Sequence, residues 1–164
     1  EMKKGNLYYY FRNKEDILAC LFEDVMSEHV EAVRLALPGI DDTETRLRTV
    51  AEHHLKTLGE NRDLAVVFQV ELRQSTKFME RFSATQLREY LGIIRDVIAD
   101  GQERQVFRRD VNPTLAAKLF FGALDEMATN WILSRRRYSL ASEADAIVDF
   151  LIGGLGSNAR GRGR

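Results

Sequence analysis

The stretch GNLYYYFRNKEDIL, residues 5–18, sets Tyr8, Tyr9, Tyr10 and Phe11 side by side between basic residues. Leu7 and Phe11 are spaced i, i+4, so they share one face of a short helix over about residues 3–11. Lys3, Lys4, Asn6, Tyr9 and Tyr10 are then left on its outer and flanking faces. Lysines and tyrosine hydroxyls suit phosphate oxygens, and an asparagine can read a base edge. Asn13 reads as the N-cap of the following helix, with Asp16 at its third position. Lys14 opens that helix, where free backbone N–H groups favour a phosphate. On composition alone, an aromatic helix that simply packs, with lysines for solubility, explains the stretch equally well.

Outward from this stretch the chain reads as helices. Ile17, Leu18, Leu21, Phe22, Val25, Met26, Val30, Val33 and Leu37 form a helical stripe of about six turns, stopped by Pro38-Gly39. A helix over 43–58 ends near Gly59, and another is expected over 62–74. Residues 76–83 read as a short helix or irregular turn, and a long helix runs from about Ala84 to Gln105. Asn112 caps the next, with Pro113 at its first position, where a missing N–H costs nothing. That helix, over about 114–134, closes on Arg135-Arg136-Arg137, suited to the negative end of its dipole. A last helix spans about Ser142 to Leu155, followed by a basic tail, residues 158–164, of disordered composition. The fold class is all-α.

The 164 residues match one ordinary domain, and their net charge of −1 confines any nucleic-acid surface to a local patch. Cys20, the single cysteine, excludes an intrachain disulfide and points to a reducing compartment, the cytoplasm. No apolar run approaches the ~20 residues of a membrane span, so no membrane partner is expected. His29, His53 and His54 show no metal spacing with Cys20. With no phosphate loop and no nucleophile motif, the reading contains no catalytic residue, no metal and no cofactor, and is not that of an enzyme.

Two helices carry more apolar surface than one core can use. Leu115, Leu119 and Met127 lie along one side of residues 114–134, while Phe120, Phe121, Leu124 and Trp131 cover much of the rest. The last helix adds Ile147, Leu151 and Leu155. A homodimer built as a four-helix bundle accounts for the surplus, with Leu115, Leu119, Met127, Ile147, Leu151 and Leu155 at its interface. A central helix in a monomer core is the competing reading.

The opening stretch resembles the end of the helix-turn-helix of TetR-family transcriptional regulators. Gly5, Asn6, Leu7, Tyr8, Tyr10, Phe11, Lys14, Glu15 and Leu18 match that motif in place. The resemblance implies DNA contacts at Lys4, Asn6, Tyr8, Tyr9, Tyr10 and Lys14, with Leu7 and Phe11 in the core. It departs at Glu1 and Lys3, where the family has Gly and then a Ser or Thr cap. It also implies two helices before residue 1, so the chain is expected to be part of a longer protein, cut within its DNA-binding domain. The division expected is 1–18 for the end of the helix-turn-helix, 14–38 for a connecting helix, and 43–157 for a ligand-binding and dimerisation domain.

Three further segments, VELRQS (70–75), GQERQVFRRDVNPTLAAKLFFGALDE (101–126) and TNWILSRRRYSL (129–140), resemble the fatty-acid-degradation regulators of the FadR/YsiA type. This implies a homodimeric repressor of lipid-metabolism genes that binds palindromic double-stranded operator DNA and is released by long-chain acyl-CoA. Residues that could line a tunnel for the chain are Phe68, Leu72, Phe78, Phe82, Tyr90, Leu91, Ile94, Phe120, Leu124 and Trp131, although any helical core contains such residues. Arg73, Lys77, Arg81 and Arg88 could meet the phosphates. Glu71, Asp125, Glu126 and Asn130 are polar among apolar neighbours and must be paired if buried. Two other readings fit the composition: a TetR-type regulator of drugs or aromatic molecules, and a helical lipid-binding module without DNA binding.

Overall fold

The computed structural model describes Phe11, residues 13–135 and residues 138–155. Among these, seven α-helices and no strand form the structure. Helix α1, Lys14–Ala36, starts where the Asn13 side chain accepts the Asp16 N–H at 2.8 Å. It stops before Pro38 and Gly39, the latter at φ +87°, a backbone conformation that glycine adopts without steric cost. Helix α2, Thr43–Gly59, is capped by Asp42 and packs against α1 and the long C-terminal helices. Its buried face follows from sequence spacing. Leu47, Val50, Ala51, Leu55 and Leu58 recur every three or four residues and are buried, while Glu52 and Lys56 face outward.

The segment expected as one helix over 62–74 is three. Helix α3, Arg62–Val66, passes into a π turn, Val67–Glu71, and then a 3-10 turn, Leu72–Gln74. The apolar run Leu64–Phe68 defines no single helical face, and the wider turn lets the neighbours Phe68 and Gln69 both point inward. Helix α4, Thr76–Ala84, is regular, capped by Ser75, and buries Phe78 and Phe82 at i, i+4. The chain breaks at Thr85 (φ −121°, ψ −103°), so helix α5 begins at Gln86 rather than Ala84 and ends at Glu103.

Helix α6, Pro113–Leu133, is capped by Asn112, whose side chain accepts the Thr114 and Leu115 N–H groups. It ends at Ser134, so the arginine run does not occupy its last turn. Arg135 lies past the cap, and Arg136 and Arg137 fall outside the described residues. A cation from another helix meets those last carbonyls. Arg62 of α3 donates to the Ile132 carbonyl at 2.6 Å and the Ser134 carbonyl at 3.1 Å, and lies over the Trp131 ring. A 3-10 turn, Leu140–Glu143, precedes α7, Ala144–Leu155, where one helix from Ser142 was expected.

The Gly-Gln-x-x-x-x-Phe-Arg segment builds the corner between α5 and α6. The Gly101 carbonyl accepts from both Val106 and Phe107 N–H, and the Gln102 amide donates to the Arg108 and Val111 carbonyls at 2.8 Å. Phe107 then lies directly on Gly101. A Cβ there would sit 2.3 Å from the Phe107 ring and 2.8 Å from the Thr43 methyl. Gly101→Ala is therefore expected to destabilise the fold by about 1–3 kcal/mol through overpacking, read as a lowered urea midpoint at unchanged slope.

Candidate functional site

A cavity opens where α1, α2, the π and 3-10 turns, α4 and α6 converge. Its volume is about 50 Å³, well below the roughly 300–1,000 Å³ of small-molecule sites, so a ligand must part its walls. One end is aromatic. The Phe22 ring stands edge-on to Phe68 (4.5 Å), Phe82 (4.8 Å) and Phe78 (5.1 Å). The opposite side is polar: Arg73 donates to both oxygens of Asp125 at 2.6 Å, and the buried Gln69 amide donates to Asp125 at 2.9 Å. The Thr129 hydroxyl lies within reach of the Gln69 side-chain oxygen and the Asp125 carbonyl.

Two buried histidines complete the lining. His29 Nδ1 lies 3.2 Å from the Thr57 hydroxyl, and His54 Nδ1 lies 3.2 Å from the Tyr90 hydroxyl. Burial holds the His29 pKa down at about 3, helped by the neighbouring His54 and His53. Burial likewise lowers His54 to about 4, with Asp125 opposing and Arg73 adding to the shift. Both imidazoles are therefore neutral at pH 7. Burial pushes the Tyr90 phenol up, so it keeps its proton.

Of the residues expected to line a tunnel, Phe68, Phe78 and Phe82 line the cavity, as does Arg73, which was expected to meet the ligand's phosphates. Leu72 is buried but does not line the cavity. Tyr90 stands behind His54. Ile94 and Leu124 are fully buried on α5 and α6, away from the cavity, because those two helices close tightly on each other. Phe120 lies along a cleft of about 450 Å³ between α6 and α7 instead. Trp131 donates its indole N–H to the Tyr138 carbonyl at 2.9 Å and so holds a loop.

Sequence reading missed the wall formed by α1, namely Phe22, Val25, Met26 and His29, along with His54, Thr57 and Leu58 of α2 and Phe121 of α6. One signal was available: His29 sits on the apolar row Phe22, Met26, His29, Val33 at helical spacing.

The charged residues are engaged differently from one another. Arg81 pairs with Glu23 of α1 at 2.7 Å, and Lys14 with Glu71 at 2.7 Å. Asn130 donates to the Glu126 side chain at 2.7 Å. Lys77 and Arg88 are exposed, and among the described residues neither forms an ion pair. Of the DNA-contact candidates only Lys14 is described; Lys4, Asn6, Tyr8, Tyr9 and Tyr10 lie outside the described residues.

The outer faces of α6 and α7 remain uncovered. Leu115, Leu119, Leu133 and Phe150 are exposed by 53, 60, 72 and 83%. Met127, Ile147 and Leu151 are half-buried. Leu155, expected at an interface, turns inward, and its carbonyl accepts the Arg108 N–H at 2.8 Å. Among the described residues no helix is long and apolar enough to cross a membrane.

The chain has known relatives. A fatty acid metabolism regulator protein of Bacillus subtilis (strain 168) is 29% identical over 151 residues, 92% of this chain and 78% of its own. The structure of the fatty acid degradation regulator FadR from Bacillus halodurans superposes with a TM-score of 0.84 at 33% identity, covering 94% of this chain and 83% of that one. FadR from Bacillus subtilis in complex with stearoyl-CoA superposes with a TM-score of 0.85 at 28% identity, over the same shares. The family model for the YsiA-like protein C-terminal region, a TetR C-terminal family, matches residues 22–154. The chain therefore belongs to the TetR family of transcriptional regulators, in its YsiA-like branch.

Proposed function

We propose that this protein is a cytoplasmic repressor of lipid-metabolism genes that binds palindromic operator DNA as a homodimer and releases it on binding long-chain acyl-CoA. The observation that carries this reading is the position of α1. One helix supplies Phe22, Val25, Met26 and His29 to the cavity wall and begins directly after the helix-turn-helix-like stretch. The relative crystallised with stearoyl-CoA supports the effector class. The family and the relatives are transcriptional regulators, and no enzymatic role is proposed.

The coupling follows from the contacts of α1. A chain wedged among Phe22, Phe78 and Phe82 must part α1 from α4. Glu23–Arg81 and Lys14–Glu71 tie α1 to the cavity's walls, so a displaced wall pulls on the first turn of α1. In this scheme residues 1–18 form the end of the DNA-binding domain, with Lys4, Asn6, Tyr8, Tyr9, Tyr10 and Lys14 on the DNA, and 43–157 form the sensing and dimerising domain. Lys14 has two competing acceptors, Glu71 and a phosphate. Ligand shifts a population between a dimer that fits successive major grooves and one that does not.

The test is fluorescence anisotropy with operator duplex at fixed salt, using protein that carries the complete helix-turn-helix. Acyl-CoAs from C8 to C18 are titrated against free CoA and free fatty acid. Long acyl-CoAs should weaken DNA binding about a hundredfold, equivalent to roughly 2.7 kcal/mol of differential affinity, and free CoA should not. Unchanged operator affinity at saturating C16 or C18 acyl-CoA would defeat the reading.

A further inference from the structure

The cavity is mostly apolar, yet two of its lining residues each leave one nitrogen without a partner. His29 is 5% and His54 7% exposed, and in both Nε2 makes no hydrogen bond. Buried nitrogens of this kind are normally paired. Their protonation follows from their neighbours. The Thr57 hydroxyl donates its one hydrogen to the His53 carbonyl at 2.8 Å. At His29 it can therefore only accept, so His29 carries its hydrogen on Nδ1 and presents a bare lone pair at Nε2. At His54 the phenol of Tyr90 has no other acceptor among the described residues. With Tyr90 donating to Nδ1, one buried donor is left over; with the reverse polarity, a phenol hydrogen and an imidazole lone pair both are. The first arrangement is cheaper, and it places the His54 hydrogen on Nε2.

The two unpaired nitrogens are thus complementary, one acceptor and one donor, on rings whose centroids are 5.9 Å apart. A saturated alkyl chain can satisfy neither, and a carbonyl can satisfy only His54. A hydroxyl satisfies both, accepting from His54 and donating to His29, and so takes the place of the single water that can otherwise bridge them. The geometry points to His29 and His54 as a hydroxyl-recognition subsite, so that the preferred effector is a hydroxylated long-chain acyl thioester rather than the plain saturated one. This inference rests on the acyl-CoA reading and narrows it. His29 lies seven residues along α1 from Phe22, about 10 Å, so the subsite serves one stretch of the chain and the phenylalanines another.

The experiment is calorimetry on the protein with C16 and C18 acyl-CoAs, each compared with the same chain hydroxylated at C2, at C3, in mid-chain or at the terminal carbon. One hydroxyl position should bind at least tenfold tighter than the parent chain, or about 1.4 kcal/mol. The other positions, which set a hydroxyl against phenylalanines, should bind more weakly than the parent. His29→Leu should abolish the tenfold advantage, read as the ratio of the two affinities measured on that variant. If that variant does not fold, ¹⁵N-histidine NMR of the unaltered protein is the second readout. It should find the Nδ1–H form at His29 and the Nε2–H form at His54. Parent chains that bind with no hydroxylated chain tighter would overturn the subsite and leave the acyl-CoA reading standing. Binding of neither series would overturn both.

Discussion

Leu119→Glu combined with Phe150→Glu is expected to leave a folded monomer that binds operator about a thousandfold more weakly. Both side chains are exposed in the single chain, by 60 and 83%. Their replacement therefore removes no core contact, and the monomer's own stability should move by no more than about 0.5 kcal/mol per site. In a two-fold dimer each change appears twice on facing patches. Four carboxylates would be stripped of water at the interface, at a cost of several kcal/mol for each charge left unpaired. The face itself argues for a helical partner. Gly153 and Gly154 lie on α7 with open space where a Cβ would stand. Each costs helix stability of about 0.5–1 kcal/mol relative to alanine, and among the described residues nothing lies within 4 Å of where its Cβ would stand. A second copy brought close to this surface would use that room. The loss in DNA binding follows from avidity, since two linked half-site contacts exceed one by about 10²–10⁴. Light scattering reads the mass, circular dichroism the fold and anisotropy the operator affinity. A variant that stays dimeric with unchanged affinity would move the interface elsewhere.

How much of this was legible in the sequence depended on how local each signal was. The Asn13 and Asn112 caps and the Pro38-Gly39 stop all rest on a few neighbouring residues, and the structure has them as read. The long apolar stripe of α1 was equally plain. The π turn at Val67–Glu71 had no local code, because it settles a competition over which of several adjacent apolar residues goes inside. The arginine run after α6 looked like a dipole cap. Arg62, distant in sequence, had already taken the carbonyls. The cavity divided along the same line. Phe78 and Phe82 line the cavity as expected, whereas Tyr90, Ile94 and Leu124 are the same kind of residue and differ only in what packs on them. Reading α1 purely as a connector hid the fact that it is also a wall. His29 and His54 were judged for metal spacing and not for the apolar company they keep, which is what gives them their chemistry.

Phe22→Ala should cost the ligand-free protein about 3–5 kcal/mol, a large share of the 5–15 kcal/mol that holds an ordinary domain together. Phe22 is 5% exposed and meets three phenylalanine rings edge-on, so its removal takes transfer energy, aromatic contacts and packing together. The hole it leaves is not isolated, because Phe22 itself lines the cavity. A bound chain could enter that space and recover contacts the alanine cannot make. Two consequences should appear in urea unfolding followed with and without ligand. Long-chain acyl-CoA should stabilise the variant by more than the roughly 2.7 kcal/mol that any ligand at a hundred times its Kd confers. The preferred chain should also be longer than for the unaltered protein. Val33→Ala provides the contrast, since Val33 lies on the same helix, is fully buried and does not line the cavity. Its loss should weaken the fold with no extra rescue by ligand. Equal rescue of both variants would mean that the chain does not lie against Phe22, and the aromatic end of the cavity would then belong to the core rather than to the binding site.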